Sequence, residues 1–213
     1  MSCSQTVNIA RILYPVRALG PGNRLGIWLA GCPRRCPGCS NPELWQAQAG
    51  QALSQERLQE LLRPFLSRED LGGVVVTGGD PFFQADALLP LLAYLDRSVP
   101  DILVYTGYTY QQLLHLGKSA RACLQHIGVL IDGPYRQEEN DGHPLKGSAN
   151  QQIYFLRPEL RPRYEAYLEG PSHPVQNFTM KHGIISVGIH RRDFADAVAQ
   201  QAKKKGMILH DRP

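Results

Sequence analysis

A chain of 213 residues, 43% hydrophobic with a net charge of +4, can bury a core of its own, and its basic residues are too scattered for a groove-binding nucleic-acid protein. No run approaches the ~18 apolar residues of a membrane span, and Met1–Thr6 lacks the basic start and apolar core of a secretory signal, so a cytoplasmic protein is expected. Five cysteines, an odd count in a chain too long to need disulfide staples, point to reduced thiols that serve metal binding or catalysis.

Leu25–Ala30 reads as a buried strand. Directly after it, Gly31-Cys32-Pro33-Arg34-Arg35-Cys36-Pro37-Gly38-Cys39-Ser40-Asn41 sets three thiols at Cys-x3-Cys-x2-Cys spacing. Ser54 then caps a helix carrying Leu58, Leu61, Leu62 and Phe65. A second strand, Gly73–Thr77, runs into Gly78-Gly79-Asp80-Pro81 and a helix marked by Leu88, Leu91, Leu92 and Leu95. The third strand, Ile102–Thr106, leads through Gly107-Tyr108 to a helix starting at Thr109. The fourth, Ile127–Ile131, ends on Asp132-Gly133-Pro134, with Cys123 placed in a helix facing the core. Past residue 157 proline and arginine thicken. Val175–Met180 and Gly183–Ile189 then pattern as a hairpin about Lys181-His182-Gly183, and Phe194, Ala197 and Val198 mark a last helix ending at Lys203-Lys204-Lys205.

Strands alternating with helices imply an α/β fold. Its sheet is expected to be mostly parallel and curled into a partial (β/α) barrel, with residues 1–156 as the core domain and 157–213 as a small C-terminal α+β extension of unassigned role. Ligands collect beyond the C-terminal ends of such strands. The cysteines, Gly-Gly-Asp-Pro, Tyr105-Thr106-Gly107-Tyr108 and Asp132-Gly133 all fall on that rim, so one shared site is expected.

The cysteine spacing is short enough to wrap a small cluster in one loop. A four-iron cluster has four corners, so three thiolates leave one iron open for chemistry. A structural zinc completed by Cys3, Cys123 or a histidine is the alternative, and unmetallated thiols are another. Pro33 and Pro37 stiffen the loop and Gly38 permits close backbone approach. Arg34 and Arg35 read as solvated turn residues in preference to a docking face. Gly-Gly-Asp-Pro alone reads equally well as a tight turn with Asp80 as a cap, Asp132-Gly133-Pro134 as a turn, and His190 as a surface histidine.

Taken together, the cysteine loop after one strand and Gly-Gly-Asp-Pro after the next resemble the radical S-adenosylmethionine superfamily. More closely, the chain is similar to the small activating proteins of anaerobic ribonucleoside-triphosphate reductase. The matching blocks are Tyr14-Pro15-Val16, Gly20-Pro21-Gly22, Cys36-Pro37-Gly38-Cys39 with Asn41 and Trp45, Thr77–Pro81, Tyr105–Tyr108, Val129–Gly133 and Lys146-Gly147-Ser148-Ala149-Asn150-Gln151.

The resemblance implies that Cys32, Cys36 and Cys39 hold a [4Fe-4S] cluster and that S-adenosylmethionine binds the open iron. It further implies that Gly38, Cys39, Ser40, Gly78, Gly79, Asp80, Thr106 and Asp132 border that cofactor, with Asp80 accepting from its ammonium. Lys146, Ser148 and Asn150 rank behind them. The implied activity is reductive cleavage to a 5′-deoxyadenosyl radical that installs a glycyl radical on a large protein, with a flavodoxin or ferredoxin as electron donor and no membrane or nucleic-acid partner. A small, lidless sheet would leave the cluster side open to such a protein; residues 157–213 are the departure, since short family members lack them. The alternatives are radical chemistry on a peptide, nucleotide or RNA, and a zinc or electron-transfer binding protein.

Overall fold

The computed structural model describes residues 6–171, 175–180 and 183–204. Cys3, the Lys181-His182 turn and Lys205 lie outside them.

The first elements are β1 (Val7–Val16) and β2 (Asn23–Leu29), an antiparallel pair, with β3 (Gln51–Leu53) on the outer side of β1. Then α1 (Gln55–Leu66), β4 (Leu71–Gly78), α2 (Ala85–Asp96), β5 (Ile102–Tyr105), α3 (Tyr110–His115), α4 (Lys118–Cys123) and β6 (Val129–Asp132) wind a parallel set β2-β4-β5-β6. β7 (Gln152–Phe155) closes the order β3-β1-β2-β4-β5-β6-β7, antiparallel to β6. The remaining elements are α5 (Arg161–Glu169), the hairpin β8 (Gln176–Met180) and β9 (Gly183–Val187), and α6 (Phe194–Lys204).

The four expected strands are the parallel core, each within two residues of the sequence boundaries. The sheet as a whole is mixed, because β1 pairs antiparallel with both β2 and β3, and β7 with β6; among the described residues it does not close, and β3 and β7 are its outer strands. Local capping explains the helix starts. The Ser54 hydroxyl accepts from the Arg57 amide at 3.3 Å, and Thr109 forms a reciprocal capping box with Gln112.

Strand alternation splits the core into two layers. Ile27, Leu29, Val74, Val76, Val104 and Leu130 face α1, α2 and α4, with Cys123 fully buried among them as expected. Trp28, Val75, Leu103, Val129 and Ile131 face the other way and pack against Leu160, Tyr164 and Val187. Each fully buried side chain of this size contributes on the order of 1.5–3 kcal/mol. So α5 and β9, both beyond residue 157, supply buried side chains to the second layer, and the sheet is not lidless on that face.

At the N-terminal ends of the parallel strands the second layer holds a charged knot. Arg24 and Asp101 are 0% and 2% exposed. The Arg24 guanidinium donates to both Asp101 carboxylate oxygens at 2.8 and 3.1 Å, and the Tyr164 hydroxyl donates to the same carboxylate at 2.7 Å. Gly73 lacks a Cβ where one would stand 2.7 Å from the guanidinium. Tyr164 thereby ties α5 to the core by packing and by a charge-assisted bond.

Candidate functional site

Four loops meet beyond the C-terminal ends of the parallel strands. Leu29 and Gly31, at the end of β2, accept from the amides of Gly79 and Asp80 at 2.7 and 2.8 Å. A Cβ on Gly78 would stand 2.3 Å from the Leu29 carbonyl oxygen, and one on Gly79 would stand 2.4 Å from that of Gly31. The close approach expected of these glycines is therefore made to the chain's own backbone, and it locks the cysteine loop against the end of β4.

Asp80 fastens a third strand to this pair. It is 1% exposed. Its Oδ1 accepts from the Phe82 amide at 3.1 Å and the Thr106 hydroxyl at 2.9 Å, and its Oδ2 accepts from the Gly107 amide at 3.0 Å. The nearest cation is the Arg34 guanidinium, with Nε at 3.8 Å. Burial raises the Asp80 pKa above its ordinary value, a rise only partly opposed by Thr106, Gly107, Phe82 and Arg34. A carboxylate offers about four acceptor sites, and three are taken here. The geometry shows the cap reading of Gly-Gly-Asp-Pro: Asp80 caps the turn and also brackets β4, β5 and the cysteine loop.

Arg34 is not the solvated residue that its place in a turn suggests. Its guanidinium lies 4.3 Å from the centre of the Tyr108 ring and donates to Gln112 at 3.3 Å. A Cβ on Gly107 would fall 2.3 Å from its side chain. Arg35 is exposed, with φ of 47°. Asp132 is buried, its Oδ2 accepting from the Tyr110 amide at 2.6 Å and its Oδ1 from the Gln152 amide at 3.1 Å. Both bonds serve the fold, starting α3 and aligning β7.

The polar run Lys146–Gln151 is bonded mostly within the chain. Ser148 accepts from the Arg136 amide at 3.1 Å, Gln151 accepts from the Gly147 amide and donates to Gly133, and the Asn150 amide donates to Pro134 while its Oδ1 is buried without a partner. The Lys146 ammonium reaches the Ala149 carbonyl at 3.5 Å.

Cys32, Cys36 and Cys39 are free thiols, each half-buried. Burial pushes all three up, against backbone N–H groups of Arg34 toward Cys32, Tyr135 toward Cys36 and Asn41 toward Cys39. Each thiol also feels the charge of another member of the trio. The indole N–H of Trp45 is buried beside Cys39, where hydrogen bonding from it favours the thiolate. Among the described residues, no three His, Cys, Asp or Glu side chains are arranged to hold a single metal ion. Three half-buried thiols on one loop, each facing an N–H donor, fit a cluster that offers several metal corners and keeps its sulfurs hydrogen-bonded.

A cavity of about 180 Å³ opens beside this loop on the second layer's side of the sheet. Cys39, Ser40 and Asn41 form one flank. Trp28, Thr77 and Tyr105, one row across β2, β4 and β5, form another. Ser186 to His190, at and beyond the end of β9, also line it. Nothing local in the sequence marks His190 for this place; folding of the hairpin across the sheet puts it there. Trp45 could be found from its spacing after Asn41. No described helix is long and apolar enough to cross a membrane.

Residues 18–154 match the family described as 4Fe-4S single cluster domain. The chain is 36% identical over 148 residues to an anaerobic ribonucleoside-triphosphate reductase-activating protein of Vibrio cholerae, a match covering 66% of this chain and 94% of that one. It is 36% identical over 154 residues to the protein of the same name from Haemophilus influenzae, covering 68% and 96%. A third, from Enterobacteria phage T4, is 30% identical over 147 residues, covering 67% and 90%.

Proposed function

The chain belongs to the anaerobic ribonucleoside-triphosphate reductase-activating proteins with their 4Fe-4S single cluster domain, and from that premise we propose that it is a radical S-adenosylmethionine enzyme whose partner is an anaerobic ribonucleotide reductase. The observation that carries this reading is a trio of half-buried free thiols on one loop, with Cys39 lining a cavity and Arg34 of the same loop reaching toward the buried Asp80. Cys32, Cys36 and Cys39 would hold the cluster. When bound, it supplies the electron that cleaves S-adenosylmethionine to methionine and a 5′-deoxyadenosyl radical, and that radical takes a hydrogen atom from a glycine of the partner.

The protein's own part is positioning and shielding. Gly78 and Gly79 hold the loop of β4 against the cysteine loop. Asp80 fixes Thr106, Gly107 and Arg34 around the methionyl end and keeps one acceptor site for its ammonium. Gly38, at φ of 68°, and Ser40 border the cofactor from the loop, and Asp132 supports it by fixing the start of α3. The cavity keeps water from a reactive radical.

Residues 1–156 are the catalytic core in this reading, curled as part of a barrel around the cavity, and 157–213 an addition to it. Free thiols at four described cysteines suit a cytoplasmic setting with a flavodoxin or ferredoxin as donor. The second reading, radical chemistry on a peptide, nucleotide or RNA, is favoured by the reach of Ser186–His190 into the cavity.

The test is direct. Anaerobically reconstituted, reduced protein should convert S-adenosylmethionine to 5′-deoxyadenosine. With the reductase present, it should also give a glycyl-radical doublet in the electron paramagnetic resonance spectrum. Cleavage without a doublet moves the substrate to the second reading; a protein that binds zinc and cleaves nothing removes both. Asp80→Ala should keep iron and lose S-adenosylmethionine binding.

A further inference from the structure

The cavity is built by parts of the chain on both sides of residue 154, where the family match ends. Its lining includes Trp28, Thr77 and Tyr105 from the strands and, from the extension, Ser186–His190. That last segment is fixed. Val187 is 3% exposed within the second core layer, and the His190 carbonyl accepts from the Asn140 amide at 3.0 Å. On the neighbouring strand Gln176 accepts from the Arg17 amide at 2.9 Å and donates to the Pro15 carbonyl at 2.8 Å. The His190 ring stacks on Phe194 at 4.2 Å with 14° between planes, and its Nε2 lies 3.1 Å from the Ser186 hydroxyl. An imidazole held on one face and one edge is preorganised, so little rotamer freedom is lost when a ligand engages it.

We propose that Ser186–His190 is the nucleoside-recognition wall of the cofactor pocket, a role that rests on the S-adenosylmethionine reading above. A sulfonium cofactor held at the cysteine loop by its amino-acid end must send its adenosyl half away from that loop. The cavity onto which Cys39 opens is the space beside it. An adenosyl group combines a flat, weakly polar ring with a vicinal diol. Val187, Ile189, Trp28 and Tyr105, all in the lining, offer apolar and aromatic surface to the ring, and the Ser186–His190 pair offers polar edges to the diol. The extension is then a piece of the cofactor site.

The test measures binding to the full-length, cluster-loaded protein of S-adenosylmethionine, of methionine alone and of 5′-deoxyadenosine alone, with iron content checked in every variant. Ser186→Ala and His190→Ala should each weaken S-adenosylmethionine and 5′-deoxyadenosine by about tenfold, the worth of one hydrogen bond, and leave methionine unchanged. His190→Gln, which keeps a polar edge, should recover part of the loss. Unchanged S-adenosylmethionine affinity in His190→Ala overturns the inference, and so does an equal loss for methionine. Normal cofactor binding with failed radical transfer to the partner also overturns it, by assigning the wall to the partner's peptide. Wild-type protein that holds a cluster yet binds no S-adenosylmethionine overturns the functional reading instead, and this inference with it.

Discussion

Asp101→Leu isolates the strongest single electrostatic dependence of the fold. The substitution removes the acceptor of two Arg24 bonds, at 2.8 and 3.1 Å, and of the Tyr164 hydroxyl at 2.7 Å. Arg24 is fully buried and keeps only backbone carbonyls of Pro21, Val74 and residue 101. Breaking a buried pair from one side costs about 3–5 kcal/mol, because the remaining charge cannot return to water. The orphaned Tyr164 hydroxyl adds about 1–3 kcal/mol. Arg163, whose side chain is 42% exposed, adds little. The total is a large share of the ~5–15 kcal/mol that holds a domain together. Arg24→Met with Asp101→Leu takes out both charges, leaving mainly the Tyr164 hydroxyl unpaired, so the double variant should be more stable than the single by about 3–5 kcal/mol. Urea unfolding of the iron-free protein, followed by far-ultraviolet circular dichroism, reads both. A double variant no more stable than Asp101→Leu would refute the reasoning, since the loss would then come from packing rather than from a stranded charge.

Replacing Cys32, Cys36 or Cys39 singly with alanine should abolish cluster retention on anaerobic reconstitution, measured as iron and sulfide per chain, whereas Cys123→Ala, in the core and away from the loop, should retain it. Gly78→Ala should cost at least about 2 kcal/mol, from a φ of 115° and a Cβ driven into Leu29; Gly117→Ala, at φ of 132° but with open space around it, should cost only the backbone strain of about 1–2 kcal/mol. His143 accepts the Leu145 and Lys146 amides on Nδ1 at 3.0 and 3.1 Å, which requires the neutral ring, and burial, then the Lys146 charge, hold its pKa below the ordinary value. The unfolded chain therefore binds the extra proton first. Stability should be full above about pH 6.5 and fall as the pH drops through the lowered folded value, and His143→Gln should flatten that slope in denaturation midpoints.

The parallel strands were legible because each is a short apolar run closed by glycine or a polar turn, buried on both faces. The antiparallel flanks were not. β1 carries Asn8, Arg11 and Pro15 and changes register along its length, β3 is three residues long, and β7 begins on an exposed Gln152. A patterned apolar run marks none of them; pairing to an existing edge creates them. The helix α5 hid behind Pro158, Arg161, Pro162 and Arg163, although Pro162 sits in its first turn, where proline is tolerated. In the site, spacing exposed the three thiols and the Gly-Gly-Asp-Pro turn. The contacts made by Arg34 and Asp80, and the place of His190 in the cavity lining, join residues far apart in the chain, so local pattern carries no signal for them.

The route a large partner takes follows from which side of the thiols is covered. A lidless sheet would admit a protein from the face away from the helices, but α5 and the β8–β9 hairpin pack there, with Tyr164 and Val187 buried beneath them. Beneath the loop, the cavity is about 180 Å³, too small for a folded surface to enter. The cysteine loop differs: Pro33, Arg35 and Pro37 are exposed while the thiols between them are half-buried. A glycine carried on an extended segment would have to reach the small molecule at the mouth of the cavity, beside the loop, where Cys39 and Ser40 line it. Because the hydrogen would pass from the glycine to one carbon of the small molecule, the two must touch there, and the extension, by covering the inner face, would leave the loop side of the cavity mouth as the partner's way in.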